Sequence, residues 1–258
     1  MLYSVRQLLF VVPLLFVVFP AHAQVGELLW QENFNSLEED IWTIDIGNGC
    51  DQGLCGWGNQ ELESYQADNV SIQAIDGEPG NSALALQARR EVAGAEQFTS
   101  GKILSENKLT VHYGMIEFRM QVPDLETGYW PAFWMLGANG LPWPRRGEID
   151  LMEMGQSIEQ RRDWLLRNED PNDAGDTPPA INHFTGSNLI FFADAACNEF
   201  NPTCAASVAF QNDNAYVSET PLSNRFVVYR TYWTPETIRF TVEDNGIEHD
   251  LYLSLIHI

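Results

Sequence analysis

The segment Gly147-Glu148-Ile149-Asp150-Leu151-Met152-Glu153-Met154 sets three carboxyl side chains among apolar ones. In an extended strand successive side chains point to opposite faces, so Glu148 and Asp150 share one face while Ile149 and Leu151 point into a core. Strict alternation would put Glu153 on the apolar side, where an unpaired carboxylate is costly. One extra residue, a β-bulge near Leu151 or Met152, returns Glu153 to the face of the other two acids. Three carboxyls then line one short stretch of a cleft.

The strand signal continues outward from this segment. Upstream, Tyr129–Leu136 alternates, with Trp130, Ala132 and Trp134 on one face and Phe133 and Met135 on the other. Tyr113–Val122, Gly101–Leu104 and Ser82–Arg89 read the same way, and downstream so do Phe226–Trp233 and Thr237–Val242, followed by a tight turn at Asp244-Asn245-Gly246. No long amphipathic helix is evident, and regular short strands without helical spacers predict an all-β, two-sheet sandwich. Gly47–Gly58 and Gln156–Pro179 are rich in turn residues and read as loops, the second long enough to carry function. Without a repeat or linker, residues 24–258 form one domain.

Residues 1–23 stand apart. Arg6 precedes the apolar run Leu8–Phe19, and Ala21-His22-Ala23 fits a small-x-small cleavage site, which together predict a secretory signal peptide. The run is about a dozen residues, short of the roughly 20 that span a bilayer. The chain is therefore expected to be secreted, with no membrane association after cleavage. Its 36 acidic against 14 basic side chains give a formal charge of −22. Such a surface repels phosphate backbones and anionic lipid, which argues against nucleic acid; it is compatible with a neutral polymer and equally with a role in solubility alone. In an oxidising compartment Cys50, Cys55, Cys197 and Cys204 are expected to form two disulfides, and local pairing would staple two loops. Neither spacing resembles a zinc knuckle, and no histidine flanks the pairs.

Paired carboxylates in a partly desolvated cleft suit retaining glycoside hydrolysis, which needs a nucleophilic carboxylate and a protonated carboxylic acid about 5–5.5 Å apart. Crowded like charges raise at least one pKa and so supply the acid form. Asp150, between the two, can hydrogen-bond the nucleophile. An acidic solvent-facing strand is the plainer reading of the same residues, and two core tryptophans that of Trp130 and Trp134. Indoles beside an acidic strand favour the alternative, since they stack on the apolar C–H faces of sugar rings.

Four blocks in order resemble glycoside hydrolase family 16 in its laminarinase-like, bulged form. They are Gly56-Trp57-Gly58-Asn59-Gln60-Glu61-Leu62, Tyr113-Gly114-Met115-Ile116-Glu117-Phe118-Arg119, Trp130-Pro131-Ala132-Phe133-Trp134-Met135-Leu136, and the E-x-D-x-x-E run Glu148–Glu153. The resemblance spans about Leu29 to Asp250. It implies a β-jelly-roll sandwich of the concanavalin-like kind, with Glu148 as nucleophile, Glu153 as acid/base and Asp150 assisting. It implies that Asn59, Trp130 and Trp134 line the groove. The implied substrate is a β-1,3- or mixed β-1,3/1,4-glucan; relatives act on agarose, carrageenan or other galactans. No cofactor is required, a monomer is expected, and some members carry a structural calcium whose ligands have no assignment here.

The departures are specific. Lys102 stands where many members have a basic residue, but in Ser100-Gly101-Lys102 rather than after Ser-Ala, so its role is open. A histidine often follows the catalytic strand, and His183 has no secure alignment to it. Members continue past Asp244-Asn245-Gly246 with further closing strands, whereas this chain ends in the apolar Leu251–Ile258, which suggests a missing C-terminal part. A galactan hydrolase or transglycosylase on the same scaffold is the alternative within enzymes. A glycan-binding protein is the alternative outside them, disfavoured because it has no need of all three acids.

Overall fold

The computed structural model describes residues 26–168, 177–207 and 214–255. The signal peptide expected over residues 1–23 lies outside the described residues. Short pieces come first: β1 (Thr43–Ile44), β2 (Glu63–Tyr65), β3 (Val70–Ala74), β4 (Ser82–Leu86), β5 (Phe98–Ser100) and β6 (Ile103–Leu104). They pair as β1 with β6, β2 with β5 and β3 with β4. The Gly47–Gly58 and Cys197–Cys204 loops are each closed by a local disulfide, Cys50–Cys55 and Cys197–Cys204.

Two larger sheets follow. The first holds β8 (Ala132–Leu136), β9 (Glu148–Glu153), β10 (Phe184–Phe192) and β11 (Ala205–Ser207) in the order β11-β10-β9-β8, with β12 (Ala215–Val217) paired to the start of β10. The second holds β7 (Gly114–Gln121), β13 (Phe226–Trp233), β14 (Thr237–Asp244) and β15 (Ile247–Leu255) in the order β15-β14-β13-β7. Each paired contact within these two sheets is antiparallel.

The period-two pattern explains why these segments pair and stack. In β7, Ile116, Phe118 and Met120 are partly buried while Glu117, Arg119 and Gln121 are exposed. Val227, Tyr229, Ile238, Phe240, Val242 and Leu251 from the second sheet close one core with Met152, Met154 and Leu189 from the first. Phe118 stacks on Phe133 at 4.2 Å and on Tyr229 at 5.3 Å, tying the two inner faces together. Between β14 and β15, Asn245 and Gly246 take φ of 52° and 78°, the left-handed pair that a two-residue hairpin turn requires. The expected sandwich and turn are both present, and Leu251 within the apolar tail is buried in the hairpin's second strand.

One expectation fails. Gln156–Pro179 is not simply a loop: Ile158–Asn168 forms the α-helix α1. Its start is a capping box, in which Gln160 N donates to Ser157 Oγ at 3.2 Å and Ser157 N donates to Gln160 Oε1 at 2.7 Å. Of its side chains only Leu165 is fully buried, while Trp164 meets Phe184 edge-on at 5.6 Å. Reciprocal capping and two anchors hold a helix whose apolar periodicity is too thin to announce it.

Phe240 is fully buried between the sheets. Phe240→Ala is expected to destabilise the fold by about 3–5 kcal/mol through lost transfer energy and a cavity, read as a lowered urea midpoint with an unchanged slope.

Candidate active site

The register of β9 against its neighbours places the acids. On the β8 side, Leu136 pairs with Glu148, Trp134 with Asp150 and Ala132 with Glu153, with a shift between Phe133 and Trp134. On the β10 side, Ile190 pairs with Glu148, Asn188 with Asp150 and Gly186 with Glu153, again with a shift at the same level. Leu151 is the extra residue on β9, so the expected bulge is there. Glu148, Asp150 and Glu153 share the face of Ala132 and Trp134, while Met152 turns inward, fully buried in the core.

Two indoles hold the outer acids. Trp143 Nε1 donates to Glu148 Oε2 at 2.6 Å, and Trp130 Nε1 donates to Glu153 Oε1 at 3.0 Å. Trp130 and Trp134 are 48% and 42% exposed, which excludes the core reading of both. Gly155 makes the Trp130 contact attainable. Its φ is +107°, and a Cβ there would lie 1.9 Å from Tyr129 O, so only glycine lets the end of β9 pass so close to the Tyr129–Trp130 backbone.

The electrostatics follow from this crowding. Asp150, only 3% exposed, has its pKa raised, first by burial and then by the nearby charges of Glu153 and Glu148; a hydrogen bond from Asn188 opposes the shift. In its neutral form Asp150 is a donor to Glu148. Glu153 is also raised, chiefly by burial and further by Glu148, against the Trp130 hydrogen bond. One face therefore carries carboxyls that keep protons above the usual carboxylate range beside Glu148, the arrangement proton donation and nucleophilic attack require.

The other expected residues fall around this centre. The Lys102 ammonium pairs with Asp45 at 3.1 Å and lies 3.9 Å over the Trp57 ring, 5.0 Å from that of Tyr65 and 5.9 Å from that of Trp134. It thus joins the Gly47–Gly58 loop to the Trp134 side of the site. The Asn59 amide lies 3.4 Å from the Glu61 carboxylate, which also takes the Tyr65 hydroxyl. His183 is a structural hydrogen-bonder, its Nδ1 2.9 Å from Ser218 O. Among the described residues no group of three or more His, Cys, Asp or Glu side chains is placed to hold a metal ion. The sequence reading missed Trp143 and Asn188, although Pro142-Trp143-Pro144 stands three residues before the acidic strand. It also missed a cavity of about 210 Å³ beside Glu153, lined in part by Trp130, Gln156, Trp164, Ser187 and Asn188.

A bulged strand that turns three acids onto one sheet face, flanked by exposed tryptophans, defines a β-sandwich of the glycosidase type. Comparison with known proteins gives the class its family. The model of the "XgeA-like, catalytic GH16 domain" matches residues 59–245, and the chain belongs to glycoside hydrolase family 16. It is 35% identical over 177 residues to the glucan endo-1,3-beta-glucosidase of Cryptopygus antarcticus, across 65% of this chain and 60% of that protein. The laminarinase catalytic domain of Thermotoga maritima superposes with a TM-score of 0.64 at 25% identity, covering 90% of this chain and 78% of that one. A Bacteroides ovatus mixed-linkage-glucan GH16 protein, in complex with a G4G4G3G product, gives 0.64 at 26% identity, covering 88% and 78%. The chain spans 17% to 63% of the length of the curated relatives it matches.

A carboxyl whose folded pKa lies above its unfolded value favours folding most below the unfolded pKa and costs stability as pH climbs through the raised one. Asp150→Asn removes that loss. The variant is expected to have a higher Tm than wild type at neutral pH, with the difference shrinking towards about pH 3, below the unfolded carboxyl pKa of about 3.9, where Asp150 is protonated in both states; calorimetry across that range checks it.

Proposed function

We propose that the chain is a secreted, retaining endo-β-glucanase acting on β-1,3- or mixed β-1,3/1,4-glucan, with Glu148 as nucleophile and Glu153 as acid/base. The observation that carries this reading is the bulge at Leu151, which sets both carboxyls on one face with an indole N–H on each. Glu148 attacks the anomeric carbon while Glu153 gives its proton to the departing glycosidic oxygen. The C1–O bond breaks and a glycosyl ester forms on Glu148. Water then attacks the same carbon, its proton passes to Glu153, now a carboxylate, and Glu148 is released, with the configuration retained.

The raised pKa of Glu153 supplies the acid form towards neutral pH, and Asp150 steadies Glu148 by donating a hydrogen bond to it. Trp134 and Trp130, exposed on or beside the same face, suit stacking on sugar rings, and Asn59 directly follows the Gly47–Gly58 loop that Lys102 links to Trp134. A β-glucan is favoured over a galactan by the names of the relatives, a glucan endo-1,3-beta-glucosidase and a mixed-linkage-glucan protein. Secretion is favoured by the leader-like residues 1–23 and by the two disulfides.

Incubation with laminarin, lichenan, agarose and κ-carrageenan tests substrate and mechanism together. Short products from laminarin or lichenan with retained anomeric configuration are expected, and Glu148→Gln should lower turnover by at least about a thousandfold, the scale on which loss of a catalytic group is felt. Release from a galactan alone overturns the substrate, and inverted products overturn the roles. Because the Trp130 N–H stabilises ionised Glu153, Trp130→Phe should move the alkaline limb of kcat/KM to higher pH; a shift to lower pH would contradict the acid role of Glu153.

A further inference from the structure

The Cys197–Cys204 disulfide closes the connection between β10 and β11, a loop with no part in the carboxyl cluster. Its polar side chains bond to the loop itself. Asn198 Oδ1 accepts from Phe200 N at 2.9 Å and from Asn201 N at 3.0 Å, while Asn198 Nδ2 donates to Ala196 O at 3.2 Å. Asn201 Nδ2 donates to Ala196 O at 3.1 Å and to Ala205 O at 2.9 Å, and its Oδ1 accepts from Thr203 Oγ1 at 2.9 Å. Phe200, the one large apolar residue between the two cysteines, is turned outward and is 89% exposed. A lone exposed apolar side chain is ordinary. One held out by a disulfide and six side-chain hydrogen bonds is a different matter, because such a loop meets little ordering cost when its tip is bound.

The hairpin grows out of the sheet that carries the acids. Ile190 pairs with Glu148 across β9 and β10, so Ile190 and, two residues on, Phe192 share the face of Glu148. Phe192 ends β10, and the Arg145 guanidinium lies 3.4 Å over its ring. Arg145 follows by two residues the exposed Trp143 that donates to Glu148. A chain of contacts thus runs from the carboxyl through Trp143, Arg145 and Phe192 to the stapled hairpin that carries Phe200. This is the end of β10 away from α1 and from the cavity beside Glu153, which meet that strand at Phe184 and Gly186.

Charge and continuity with the cleft select the occupant. Glu199 stands beside Phe200, and the whole sequence carries −22, so an anionic lipid surface or a nucleic acid is repelled. A neutral β-glucan brings no charge, and each of its rings offers an apolar C–H face to an aromatic one. In particulate glucan, a chain held in the groove has neighbours within reach of a loop on the same sheet. We propose that the Cys197–Cys204 hairpin is a second polysaccharide contact outside the groove, where Phe200 stacks on a ring of particulate β-glucan. A single ring contact is weak by itself, but tethered to an occupied groove it acts at a high effective concentration. The proposal rests on the glycosidase reading above.

Binding is measured by depletion onto particulate β-1,3-glucan, with every protein carrying Glu148→Gln to prevent digestion. The Kd is expected to rise about fivefold on Phe200→Ala, the scale of one aromatic contact. Phe200→Leu, which stays apolar but has no flat face, should lose as much, and Phe200→Trp should keep the affinity. With Glu148 intact, Phe200→Ala should slow sugar release from the particles and leave kcat/KM on a soluble β-1,3-gluco-oligosaccharide unchanged. Unchanged binding on Phe200→Ala overturns the proposal, as does wild-type affinity in Phe200→Leu or an equal loss on soluble and particulate substrate. A dimer in solution that Phe200→Ala dissociates also overturns it, since the ring then serves a second copy. Failure of the glycosidase reading shows separately, as no cleavage of the soluble oligosaccharide by wild type. The depletion assay then judges the hairpin alone: binding that needs Phe200 sustains it, and absence of such binding overturns it.

Discussion

The single extra residue at Leu151 is the constraint on which the site depends. Both neighbouring strands shift register at that level, so the bulge is built into the sheet from two sides. Without it, Met152 would leave the core and Glu153 would enter it, exchanging a fully buried thioether for a carboxyl with no partner. The apolar demand of the core and the polar demand of the cleft are thus met by one local irregularity. The Trp130 hydrogen bond, the glycine at 155 and the cavity beside Glu153 all follow from where that side chain emerges.

The same crowding has a thermodynamic cost. Asp150 and Glu153 are pushed towards their neutral forms by burial and by neighbouring carboxylate charge, that of Glu153 and Glu148 on Asp150 and that of Glu148 on Glu153, so the cleft is a place where folding and chemistry compete. The tryptophans moderate the competition without removing it. Each indole offers a single N–H to a carboxyl while its ring remains exposed, so one residue orients an acid and presents an apolar plane.

Much of this was legible in the residues. Alternation in Tyr113–Val122 and Phe226–Trp233 marks half-buried strands because burial follows a period of two, and the spacing from Glu148 to Glu153 demands a bulge once the apolar residues between them are assigned to the core. What stayed hidden was set by long-range contacts or by masking local signals. The helix Ile158–Asn168 has one fully buried side chain and an excess of polar residues, so periodicity is nearly silent and only Ser157-x-x-Gln160 betrays its start. Trp143 reaches Glu148 through a proline-flanked loop, and Asn188 reaches Asp150 from another strand, neither of which a one-dimensional pattern encodes. The cavity that Gln156, Trp164 and Ser187 line forms only when α1 lies against the start of β10.

The strand order also governs the schedule on which the molecule takes shape during synthesis. The first large sheet is drawn wholly from residues between β7 and β13, so β7 waits for its partner until more than a hundred further residues have been made. Throughout that interval Met152, Met154 and Leu189 lack the residues of β13 and β14 that will cover them. A nascent chain in this condition presents a sticky apolar surface, the usual opening for aggregation. The heavy excess of negative charge, −22 over the whole sequence, opposes the close approach of copies that still expose this surface, a short-range repulsion that salt screens.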